Sequence, residues 1–93
     1  MQTSDFNHDK AMSMLNKALR EMKQDLDKVD DLSLKGVQKK LAKHMHEIYE
    51  EVEKLVDQYG QTHTHDDFNH VCRQLEVLKP AFVLNYNEIL DWT

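Results

Sequence analysis

The sequence predicts an all-α fold: an antiparallel helical hairpin followed by a third helix kinked at Pro80. This is a three-helix bundle that dimerisation would extend into a larger one. Three observations carry the reading. Apolar residues recur at steps of three and four in three separate stretches. Two glycines and one proline in 93 residues leave few places to turn. No stretch alternates apolar and polar residues over a strand's length with hairpin signals beside it. The three stretches, at about 5–30, 33–59 and 65–92, make residues 1–93 a single helical domain.

The first stretch carries Met12, Leu15, Leu19, Met22, Leu26 and Val29, the seam of a packed helix. Ala11, Met14 and Ala18 widen that seam toward a bundle face. Ser4 or Asn7 is placed to cap its start, and Asp5 and Asp9 suit the positive end of the helix dipole.

Asp30-Asp31-Leu32-Ser33 breaks the pattern, and Asp31 or Ser33 is placed to cap the second helix. That helix carries Leu34, Val37, Leu41, His44 with Met45, Ile48, Val52, Leu55 and Tyr59. Gly60 stands where a helix commonly ends. His44 falls on the seam and His46 off it.

Charge favours folding these two helices back on each other. Helix 1 ends in Asp25, Asp27, Asp30 and Asp31, and helix 2 opens with Lys35, Lys39, Lys40 and Lys43. The second half of helix 2, Glu47 to Asp57, would then lie beside Lys10, Lys17 and Arg20. Exposed pairs of this kind are worth ~0–1 kcal/mol each, so they choose a direction more than they stabilise it.

Thr64 and Asp67 form a variant of the capping box at the start of the third helix. Phe68, Val71, Cys72, Leu75 and Leu78 follow, and the apolar steps continue past Pro80 through Phe82, Tyr86 and Ile89. A proline inside a helix removes one donor and bends it, so a kink or two short helices meeting there are expected.

Composition bounds the function. Seventeen acidic against twelve basic residues give −5 at pH 7, the wrong sign for a domain built to hold a nucleic-acid backbone. No apolar run approaches the roughly 18 residues of a membrane span, and no secretory signal is visible. A cytoplasmic protein is expected, with no cofactor.

Six histidines invite a metal. Imidazole and carboxylate ligate Zn, Fe, Ni and Cu. His63, His65, Asp66 and His70 form the candidate set, with His46 and Glu50 as additions. Asp66 and His70 lie one turn apart. The plainer expectation for this stretch is a histidine-rich polar loop. Cys72 has no base at helical spacing, since His70 lies on another face, and it reads as a small buried thiol. No catalytic constellation is legible, so no enzyme is expected. The lysines from Lys35 to Lys43 lack interleaved aromatics and are read as partners for nearby acids.

The C-terminal stretch is the richest. Phe82, Val83, Leu84, Tyr86, Ile89, Leu90 and Trp92 crowd the segment after Pro80. Phe82, Tyr86 and Ile89 share one helical face, and the remainder form a surplus that two other helices cannot cover in so small a domain. Tyr and Trp are favoured interface anchors. The expected function is therefore a small non-enzymatic protein–protein interaction module: a regulator, adaptor or inhibitor, acting as a homodimer or on another protein. Its partner-binding residues would be Phe82, Val83, Leu84, Tyr86, Leu90 and Trp92. Metal binding at the histidine cluster is the alternative.

Overall fold

The computed structural model describes residues 7–92. Three helices follow in order, α1 (His8–Asp30), α2 (Val37–Thr62) and α3 (His65–Asp91), with no strand among the described residues. Ser4, Asp5 and the expected start of helix 1 at residue 5 lie outside the described residues, as does Thr93.

Asn7 caps α1, its side-chain oxygen accepting from the Lys10 N–H at 3.0 Å. The helix closes at Asp30, and the Asp31 N–H still donates to the Asp27 carbonyl at 3.2 Å. The start of α2 corrects the sequence reading. It begins at Val37 rather than Ser33, and no side chain caps it. The residue before it, Gly36, takes φ 58° and ψ −119°, a conformation that a side chain would strain. The chain spends residues 31–36 turning.

The end of α2 is a second correction. The helix passes through Gly60 and continues to Thr62. The left-handed residue is His63, at φ 51°, whose N–H donates to the Tyr59 carbonyl at 2.8 Å. Helical continuation is held by the buried Tyr59 before Gly60 and by the Gln61 amide, which donates to Asp57 at 3.2 Å after it. These ties oppose a glycine penalty of only ~1 kcal/mol.

Thr64 caps α3 as its spacing predicts, accepting from the Asp67 N–H at 3.2 Å. The Asp67 carboxylate does not complete a reciprocal box. It accepts from the Thr62 hydroxyl instead, tying the end of α2 to the start of α3. The third helix is one element with Pro80 inside it, not two helices meeting there.

The central helix is α2. It runs antiparallel to α1, with His8 beside Tyr59 at one end and Asp30 beside His46 at the other. It also runs antiparallel to α3, with the rings of Tyr59 and Phe68 tilted against each other, centroids 5.4 Å apart, at one end. At the other end the Gln38 amide donates to the Ile89 carbonyl at 3.3 Å. The molecule measures 55 × 20 × 18 Å with a radius of gyration of 15.4 Å. A compact chain of this length would have a radius of about 12 Å, so the long helices set the shape.

One core runs the length of the bundle. Met22, Leu26 and Val29 meet Met45, Val52 and Tyr59, closed by Val71, Phe82 and Ile89, all 2% exposed or less. Burying each such side chain contributes ~1.5–3 kcal/mol. Met12 and Leu19 flank it half-buried. Three seam expectations fail. Met14 is 61% exposed and Val37 is 55% exposed, and His44 is exposed as well. The buried stripe of α1 is narrower than expected because α1 packs chiefly on α2 and less on α3. Val37 is the first residue of α2, at the open end of the hairpin.

The charge pattern is realised differently from its prediction. Among the described residues, His46 and Asp30 meet across the hairpin at 3.0 Å, a contact that becomes an ion pair when the imidazole is protonated, while Lys35, Lys39, Lys40 and Lys43 are exposed to water.

Candidate functional site

The helix period divides α3 into an inner and an outer face. Val71, Phe82 and Ile89 point fully into the core, and Phe68, Leu75, Leu78 and Tyr86 pack half-buried against it. Five large apolar residues remain outside: Val77 and Trp92 at 67% exposure, Leu84 at 61%, Leu90 at 43% and Val83 at 39%.

This divides the expected partner-binding set. Val83, Leu84, Leu90 and Trp92 are exposed. Phe82 is a correction: its ring is completely buried and is unavailable to a second chain, because it fills the space between α3 and the hairpin. Tyr86 is half-buried against the same core. Val77 was missed. Its signal lay in the sequence, since it falls between the core positions Leu75 and Leu78 and shares a face with Leu84 one heptad later.

A groove of about 370 Å³ runs beside Leu84. Leu78, Ala81 and Asn85 form its α3 wall, and His44, Glu47, Ile48 and Glu51 its α2 wall. The placement of His44 and His46 reverses the sequence reading. His46 faces α1 and donates from Nε2 to Asp30, while His44 stands exposed on the α3 side, 4.0 Å from Glu47. A larger groove of about 670 Å³ lies between α1 and α2. Its floor includes Met12, Leu19 and Val56, and its rim carries Glu50, Glu53 and Asp57 against Lys54.

The histidine-rich end is a packing site. Tyr59 is fully buried, and its hydroxyl hydrogen-bonds Nδ1 of His8. The His63 ring stands edge-on to both, 5.9 Å from Tyr59 and 5.7 Å from His8. Burial pushes the Tyr59 hydroxyl above its ordinary pKa, with Asp9 and Cys72 adding to the effect. The expected metal set is not assembled: among the described residues no three His, Cys, Asp or Glu side chains converge to hold an ion. His63 turns to the ring cluster, His65 meets Asn69 at 3.4 Å, and Asp66 and His70 are exposed. His46 is engaged with Asp30 at 3.0 Å.

Cys72 is a free, half-buried thiol. Burial raises its pKa and Glu76 raises it further, the opposite of what a nucleophile requires. No described helix is long and apolar enough to cross a membrane. No protein-family model, curated protein or solved structure matches the chain.

Proposed function

We propose that this protein is a small non-enzymatic protein–protein interaction module that works through the exposed side of α3. One observation carries the reading: large apolar residues, Val77, Leu84 and Trp92 foremost, stand in water on a helix whose inner face is already satisfied by a full core. Exposed apolar groups gathered on one element mark an association surface, and Trp is a favoured anchor there.

Pro80 lies exposed within that surface. It withholds the N–H that would bond the Glu76 carbonyl and crowds that carbonyl, so α3 bends there and presents a curved face. The lone, free cysteine suits a reducing compartment, and on this reading the chain acts in the cytoplasm as a regulator, adaptor or inhibitor.

The test is a photo-crosslinking residue placed at Leu84 and, as a control, at the exposed Glu21 of α1, with adducts identified by mass. Adducts from position 84 and none from position 21 support the reading. Equal labelling, or none at 84, contradicts it.

A further inference from the structure

We infer that the outer face of α3 is built to pair with itself, so that the partner is a second copy of this chain related by a two-fold axis near Pro80 and Ala81. The inference rests on the interaction reading above and names its partner.

The argument starts from spacing. Along α3 the residues of one outward strip are His70, Arg73, Val77, Pro80 with Ala81, Leu84, Glu88 and Asp91, and all of them are exposed. Read from His70 through Pro80, the steps are 3, 4, 3, 4, 4 and 3. Read backward from Asp91 through Ala81, they are the same. A strip with this property maps onto itself when a second copy is laid antiparallel across it. Pro80 then meets Ala81, Val77 meets Leu84, Arg73 meets Glu88, and His70 meets Asp91.

Each meeting is chemically matched. The two smallest side chains fall at the crossing, where helix axes approach most closely. Val77 and Leu84, the most exposed apolar pair of the strip at 67% and 61%, bury each other on both sides of the axis. Arg73 and Glu88 follow as opposite charges, made twice by symmetry. Imidazole and carboxylate lie outermost, at His70 and Asp91. A two-fold interface requires that residue i contact j while j contacts i, and this strip satisfies that at four positions. Charge balance agrees. The chain as a whole is −5, which opposes self-association, yet the strip sets Arg73 and His70 against Glu88 and Asp91. One helix face per copy is a small interface, so the dimer forms with rising concentration rather than as an obligate unit.

The experiment is a charge swap read by sedimentation. Arg73→Glu and Glu88→Arg each place like charges together twice in a homodimer, and each should weaken self-association by roughly tenfold or more. Mixed in equal amounts, the two variants restore both pairs and should form a heterodimer as tight as the wild-type dimer. Leu84→Asp serves as the apolar control and should be monomeric. A mixture no tighter than its components overturns the two-fold register. If Leu84→Asp still abolishes the wild-type dimer in that case, the outer face of α3 remains the interface without this register. If Leu84→Asp also leaves the dimer intact, both readings fall. A wild type that is monomeric at millimolar concentration overturns self-pairing and leaves the interaction reading to the crosslinking test.

Discussion

Phe82 and Leu84 are two residues apart on α3 and face opposite environments: Phe82 is fully buried, and Leu84 is 61% exposed. That contrast separates what holds the bundle together from what the bundle presents. Phe82→Ala should cost ~3–5 kcal/mol of stability, and Leu84→Ala should stay within ~0.5 kcal/mol. Denaturant melts at low protein concentration, where association makes no contribution, measure both. Equal losses would contradict the placement of the two side chains.

The two glycines should respond in opposite directions. Gly36 holds φ 58° with open space around it, so Gly36→Ala meets only backbone strain and should cost ~1–3 kcal/mol. Gly60 is inside α2, and an added methyl would meet Met12 Cε at 3.6 Å, an ordinary contact. Gly60→Ala should therefore stabilise by ~0.5–1 kcal/mol. A destabilised Gly60→Ala variant would indicate that the helix ends there after all.

His46 and Asp30 tie the open end of the hairpin at 3.0 Å, and their side chains are 42% and 48% exposed. At that exposure water screens the pair, and a double-mutant cycle with His46→Ala and Asp30→Ala should return a coupling of ~0.5–1 kcal/mol. A coupling of zero would remove the pair from the account of the hairpin.

Tyr59 links α1 to α2 through its hydroxyl and keeps its ring in the core. Tyr59→Phe should cost ~1 kcal/mol at neutral pH, for the lost hydrogen bond with His8. The folded-state pKa of Tyr59 lies above the ordinary 10.0 because burial disfavours the phenolate. The unfolded chain ionises first, so this contribution is present below pH 10.0 and is lost as pH rises through the folded pKa. Tyr59→Phe should narrow the alkaline loss of stability. It should not abolish it, because burial also raises Tyr49 and Cys72. Denaturant melts on either side of tyrosine ionisation check this, and an unchanged alkaline loss would contradict it.

The helices were legible because each buries a stripe at helical spacing. The caps at Asn7 and Thr64 were legible because a short polar side chain at a boundary has one obvious use. The exact bounds of α2 were not. Gly36 takes its positive φ at the start of α2, where Asp31 and Ser33 offered more familiar caps, and His63 supplies at its end a left-handed position usually given to glycine, while Gly60 stays helical. The histidines misled for a related reason. Sequence proximity put His63, His65 and His70 together, while tertiary packing sends His63 to Tyr59 and His8 across the bundle. Periodicity placed Phe82 with Tyr86 and Ile89 on one face. The crowding of aromatic residues nevertheless assigned it to the interface, where the core has the prior claim.

The outer face of α3 as a site of self-association is the central claim, and sedimentation velocity over a concentration series tests it most directly. Wild-type protein should move from a monomer of 11.0 kDa toward twice that mass as concentration rises. Leu84→Asp, with its fold intact by circular dichroism, should remain monomeric throughout. A wild type that holds the monomer mass at every concentration, or a Leu84→Asp variant that dimerises as readily as the wild type, would contradict the account.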